Sequence, residues 1–157
     1  MCLCMGTLWF FDILASRTKH RWYCLHAMAN FVITVTSLPG CLETLRDPIN
    51  AMNSLTNPES VDIFSPASPV PICMINSIHL YHVLMFKLNI QDTFHHTLFG
   101  ILVGLPGMYY HWGALRNFLS FGICGFPGMI DYTNLLLVKH SLMSKQQQKS
   151  ACSALNT

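Results

Sequence analysis

The sequence predicts an all-α protein, a polytopic membrane bundle of four helical spans, and three observations lead to it. Of 157 residues, 52% are hydrophobic and 10% are charged, with a mean hydropathy of +0.38. A soluble domain carries about 25% charged residues, so this chain lacks the polar surface a globule needs in water. The apolar residues form long runs, punctuated by Pro-Gly pairs and small basic clusters. No segment of about ten residues alternates as the strands of a closed barrel would, and open sheet edges do not survive in lipid. The net charge of +2, carried by dispersed basic residues, excludes a nucleic-acid-binding surface.

Residues 1–21 combine an apolar segment, 1–15, with the basic patch Arg17-Thr-Lys-His-Arg21. The segment contains Asp12 and lacks the basic start and small-residue cleavage site of a signal peptide. It reads as an interfacial segment or the remnant of a longer span. The bundle proper is expected over 22–140. Span one covers 22–38 and ends at Pro39-Gly40, near the lower limit of about 17 residues for crossing a bilayer. Residues 39–71 carry Pro48, Pro58, Pro66, Pro69 and Pro71 among many polar residues, which predicts a polar loop with helical turns near Glu43–Asn53.

Span two covers 72–87, with Lys87 at its exit, and a short connection leads to Asp92, the expected N-cap of span three over 93–106. Tyr109-Tyr-His-Trp112 resembles an interfacial aromatic belt. Span four covers 114–138, or becomes two pieces and makes five spans if it breaks at Gly125-Phe-Pro-Gly128. The tail, 141–157, is polar and expected to be disordered. Seven cysteines without a Cys-x-x-Cys pair give neither a disulfide framework nor a zinc ribbon, and they read as small hydrophobes.

Each span carries one polar stripe. His26, Asn30 and Thr34 recur every four residues; Asn76, His79 and His82 recur every three. His96, Gly100 and Gly104 stack on span three, and Gly100-x-x-x-Gly104 predicts close approach of another helix, including one from a second copy or a partner. Asn117, Ser120 and Cys124 share a face of span four, with Asp131 one turn after Pro127. Interhelical hydrogen bonding accounts for His26, Asn30 and Asn76 without any further role.

The histidines around the second hairpin are the candidate site. Ionisable groups inside apolar helices are costly and mark functional positions. Spans two and three must be antiparallel neighbours. At 1.5 Å per residue His82 lies roughly 7–8 Å from Lys87 and His96 about 6 Å from Asp92, so the two depths match. Asp92 precedes His95 and His96 by three and four residues, a spacing at which its carboxylate can accept from one imidazole and orient it. A histidine held in this way serves as a general base or an acyl-transfer nucleophile. The candidate catalytic residues are thus Asp92, His95 and His96, and the candidate lipid- or substrate-binding residues are Asn76, His79, His82 and Asp131.

Asp92-Thr-Phe-His-His96, following a histidine-bearing helix and a short turn at Lys87, resembles the Asp-x-x-His-His signature of TLC-domain membrane proteins, the superfamily that includes the ceramide synthases. The resemblance implies a helical bundle around a lipid-accessible cavity in the endoplasmic reticulum or another endomembrane. It also implies membrane lipid as partner, with His95 and His96 at the positions associated with N-acyl transfer. The acidic motif that follows the histidine pair in the synthases is absent, since no acid occurs between His96 and Asp131. That places the chain with the non-synthase branch, linked to lipid handling and homeostasis. Acyl transfer by His95 and His96 is the alternative. A membrane metal oxidase is a third reading, because imidazole and carboxylate suit iron or zinc. Such sites take more histidines than this hairpin supplies, even with His111 and His140, so no metal and no cofactor are expected.

Arg17, Lys19 and Arg21 precede span one, Lys87 follows span two, and Lys139, Lys145 and Lys149 follow span four. Four spans put all three clusters on one side, the cytoplasmic one by the positive-inside rule, against Arg46 and Arg116. Both termini are then cytoplasmic. Cys152 should react with an impermeant maleimide in intact cells only after permeabilisation; labelling without it overturns the orientation.

Overall fold

The computed structural model describes residues 1–53 and 62–155. Residues 54–61 of the expected polar loop and 156–157 of the tail lie outside the described residues. Every regular element among those described is helical, and no strand occurs. In chain order these are α1 (Cys2–Ala15), α2 (Arg21–Arg46), α3 (Pro48–Asn53) and α4 (Val70–Met85). Then come α5 (Ile90–Thr97), which passes through wide π-type turns over Leu98–Gly104 into α6 (Leu105–Tyr109), and α7 (Gly113–Leu119). A second π-type stretch, Ser120–Gly125, leads into α8 (Phe126–Lys139), and α9 (Lys145–Leu155) ends the described chain.

The all-α expectation holds, but its boundaries change. Two helical runs, Arg21–Arg46 and Gly113–Lys139, are long and apolar enough to cross a membrane; Cys2–Ala15 and Val70–Met85 are apolar but shorter. α2 does not stop at Pro39. The hydroxyls of Thr36, Ser37 and Thr44 bond back to the carbonyls of Val32, Ile33 and Gly40 at 2.7, 2.5 and 2.8 Å, so these polar side chains are satisfied within their own helix. The expected loop therefore begins after Arg46. Asn89, not Asp92, caps α5: its side-chain oxygen accepts from the Asp92 amide at 2.8 Å. Asp92 takes the first helical turn instead, where the helix dipole favours a carboxylate.

The tail is not disordered over 145–155. Ser144 and Gln147 form a reciprocal capping box, with the Gln147 amide donating to Ser144 Oγ at 3.2 Å and the Ser144 amide to Gln147 Oε1 at 2.9 Å. α9 then folds onto α8, where Asp131 accepts from Gln148 Nε2 at 3.2 Å and from the Cys152 thiol at 3.0 Å. The carboxylate beside it pushes the Cys152 thiol pKa up. Less thiolate forms at neutral pH, so maleimide labelling of Cys152 is slower than that of a free surface cysteine.

α2 and the 113–139 run lie antiparallel along their whole length. Tyr23 meets Lys139, His26 meets Tyr132, Asn30 meets Gly128, Thr34 meets Gly125, and Gly40 meets Asn117. Glycine occupies three of these positions because side chains there would collide. A Cβ on Gly40 would sit 2.5 Å from both Asn117 Cβ and the Pro66 carbonyl oxygen. α4 and the 90–109 path form the second antiparallel pair. His79 lies against Gly100, Ile72 against Gly107, and Asn76 Nδ2 donates to the Gly104 carbonyl at 3.0 Å. The Gly100/Gly104 step thus admits α4 of the same chain.

α1 closes the third side. Asp12 is buried, takes a two-pronged ion pair from Arg21 and accepts from the Tyr81 hydroxyl at 2.5 Å, tying α1, α2 and α4 together. The apolar core beside it unites Leu8 with Leu25, Ala29 and Ile33 of α2 and Met74 and Ile78 of α4. The basic clusters gather at one end: Arg21 lies over the Phe86 ring at 5.0 Å, Lys139 over Tyr23 at 5.7 Å, and His20 meets His140 at 5.6 Å. At the other end the Pro66 carbonyl accepts from Asn117 Nδ2 at 2.8 Å and the Ala67 carbonyl from Arg116.

The overpacking at Gly40 sets an expectation. Gly40→Ala should lower stability by about 1–3 kcal/mol, because backbone as well as side chain blocks the methyl group. Gly122→Ala has nothing within 4 Å of its new methyl and should stay within about 1 kcal/mol of the natural chain or gain slightly. Thermal melting of the two purified variants in one detergent checks both.

Candidate functional site

Five imidazoles from three helices gather near the basic end. His82 stands at the centre, fully buried, with its ring stacked on Trp22 at 4.1 Å between centroids. His26 of α2 lies 4.4 Å from it and His96 of α5 lies 5.1 Å from it. His79, one turn deeper on α4, meets His96 at 5.0 Å and His95 at 5.5 Å. Beyond His26 the row ends on Tyr132 of α8, stacked at 4.1 Å with rings nearly parallel. The local reason is the stripe periodicity: His79 and His82 share a face of α4, and the antiparallel hairpin brings His96 to their depth.

The hydrogen bonds of the cluster are sparse. His79 Nδ1 is 2.7 Å from the Ile75 carbonyl on its own helix. A carbonyl only accepts, so Nδ1 carries the hydrogen and the neutral ring presents its Nε2 lone pair outward. Both nitrogens of His82, Nε2 of His26 and Nδ1 of His96 are buried without a hydrogen-bond partner. Buried polar groups are paired in the great majority of cases, so this concentration sets the cluster apart from the rest of the interior. The candidate ligand nitrogens of His79, His95 and His96 all lie within 4.8 Å of one another.

The expected site residues separate into two groups. His79, His82, His95 and His96 come together; His95 is exposed and His96 buried against His82. Asp92 lines a cleft of about 260 Å³ with Trp22, Tyr23, Phe86 and Lys87 at the basic end. It makes no hydrogen bond to either imidazole among the described residues, so the expected Asp92–histidine pair is not formed. The cause is the cap: with Asn89 opening the helix, Asp92 sits within the first turn. Asn76 is buried one turn beyond His79 and bonds the Ile72 and Gly104 carbonyls. Asp131 is taken up by α9 and stands apart from the cluster. Trp22 and Tyr132, which frame the row, are absent from the sequence-based set, and His26 enters it only as interhelical glue; the stripe His26-Asn30-Thr34 was the available signal.

A groove of about 330 Å³ opens on His79 and His96 and continues along Leu80, Val83, Ile101 and Leu105. A second cavity, about 410 Å³, lies across the 90–109 path. It is walled by both π-type stretches, through Phe99 and Leu102 on one side and Ser120 and Ile123 on the other, with Arg116 among its lining.

The unpartnered His82 ring yields a measurable consequence. A buried polar group without a partner costs about 1–3 kcal/mol, so His82→Leu should be at least as stable as the natural chain and by up to that amount more so. Detergent melting temperatures decide it; a lower value for the leucine variant would mean that the imidazole carries a bond worth more than its burial. No known protein family matches this chain, and no curated protein or solved structure is detectably similar to it.

Proposed function

We infer that the chain is a multi-pass membrane protein of lipid handling, which holds an amphiphile in the groove between α4 and the 90–109 path. The observation that carries this reading is the make-up of the groove. Its polar lining, His79, His96, Asn76 and Thr97, lies beside the aliphatic side chains of Leu80, Val83, Ile101 and Leu105. A few polar groups set in a mostly apolar trough suit a headgroup and its chain better than a polar metabolite.

Placement in a bilayer draws support from what faces outward. Phe31, Leu42, Leu45, Val83, Leu84, Phe94, Leu102 and Ile123 are exposed, whereas His26, Asn30, Asn76, His82, Asn117 and Asn134 are buried. Polar inside and apolar outside is the distribution that lipid favours. Arg21–Arg46 would reach about 39 Å at 1.5 Å per residue, beyond the roughly 30 Å hydrocarbon core. α4, about 24 Å by the same rise, would cross where the bilayer thins locally. With the 90–109 path this makes four spans with the basic ends cytoplasmic. α1 runs beside α4, with Asp12 at Tyr81 near the basic end and Cys4 near Cys73. The N-terminal end of α1 therefore lies toward the opposite side, and the expected cytoplasmic N-terminus does not follow. The likeness of Asp92–His96 to the TLC signature supports an endomembrane such as the endoplasmic reticulum. Acyl transfer by His95 and His96 is the weaker reading, because among the described residues no carboxylate hydrogen-bonds either ring.

Photocrosslinking with a bifunctional lipid in native membranes tests the proposal. Adducts should map to residues 76–83 and 96–105, and Val83→Trp, which fills the trough, should reduce them. Labelling no greater than that of a scrambled-sequence membrane control, or adducts unaffected by Val83→Trp, would sink it.

A further inference from the structure

We propose that His79, His95 and His96 bind one transition-metal ion of zinc-like character. Three features converge on it. The donor set is correct in kind, since imidazole suits zinc, iron, copper and nickel and is ill suited to calcium or magnesium. The geometry is close to what such an ion needs. Tetrahedral zinc with Zn–N bonds of 2.0–2.1 Å holds its ligands about 3.3 Å apart, and donors already within 4.8 Å of one another reach that spacing by ring shifts of about 1 Å.

The third feature is the state of the rings. Nδ1 of His79 lies 2.7 Å from the Ile75 carbonyl, the outer bond that in metal sites fixes the tautomer and turns Nε2 to the ion. His96 is 5% exposed, and its Nδ1 is buried without a partner. A lone pair held in this position finds its partner in a cation. His95 is exposed, so the site has an entry from solvent at the basic end.

Three protein ligands leave a zinc ion at least one open position, the pattern of catalytic rather than structural sites. Two of the three donors, His79 and His96, also line the groove with Leu80 and Ile101. The open position is therefore available to an oxygen of whatever occupies the groove. Metal binding by the histidines does not depend on lipid occupancy, so the two proposals fail separately.

The test uses the full chain without a histidine tag, purified in detergent, stripped with chelator and titrated with zinc against a chromophoric chelator. One ion per chain is expected. His95→Ala alters an exposed ring and leaves the core intact, and it should weaken binding by about ten-fold or more, as should His79→Gln. His140→Ala, outside the trio, should bind as the natural chain does. Cobalt substitution should give the visible absorption of a nitrogen-ligated ion, and it should be lost in His95→Ala. Substoichiometric metal in the folded natural chain, or affinity unchanged by His95→Ala, overturns the site. If His79→Gln does not fold, the His95→Ala result alone decides.

Discussion

The close antiparallel seating of α2 on the 113–139 run is the contact on which the rest of the bundle depends. α2 packs against α1, α4 and the 113–139 run, and on that run glycine clears its path. Gly125 and Gly128 let α8 settle on Thr34 and Asn30, and Gly40 lets α2 settle on Asn117 and Ala114. This register carries His26 to Tyr132 and Trp22 to the depth of His82. α4 then has a fixed surface to pack on, through Ile78 and Met74 against Leu25, Ala29 and Ile33. The hairpin partner of α4 follows, since Asn76 holds Gly104 by a hydrogen bond. A shift of α2 along its axis would separate the rings of the site before it disturbed any single helix.

The hairpin was legible in the sequence because its constraint is local. Few residues join Met85 to Ile90, so α4 and α5 must be antiparallel, and counting residues from the turn sets the depth of each histidine. The glycine step at 100 and 104 was legible for the same reason. Pairings between distant segments were not, since spacing along the chain says nothing about which stripe faces which. Trp22 and Tyr132 joined the cluster through such a pairing. Pro39 misled because a proline marks the end of a helix in water, while helices in an apolar setting run through prolines more readily. The tail misled for the opposite reason: a polar composition hid the Ser144-x-x-Gln147 capping box, a short-range signal strong enough to start α9.

Asp92 and Asp131 show a related limit. A carboxylate in or beside an apolar run must be satisfied, but the sequence does not name its partner. Asp12 illustrates the outcome most fully, since Arg21 and Tyr81, nine and sixty-nine residues away, converge on it. Burying such a pair brings little net stability over a packed apolar group. Its effect here is positional: it holds α1, α2 and α4 together near the basic end, through Tyr81, the residue before His82.

The polar residues of the interior then divide by what they do with their hydrogen bonds. Asn76 donates to two carbonyls, Asn117 to one, and such bonds are the glue expected between apolar helices, each worth about 0.6–2 kcal/mol. The histidines do not fit that account. His82 bonds nothing, His26 and His96 each keep a buried nitrogen without a partner, and each such vacancy costs about 1–3 kcal/mol. Stacking on Trp22 and Tyr132 offsets part of this, but leucine would fill the same volume without the penalty. Side chains that only fill space have no need of a lone pair. The lone pairs are what distinguish this cluster, and an ion or a polar headgroup is the kind of partner that uses them.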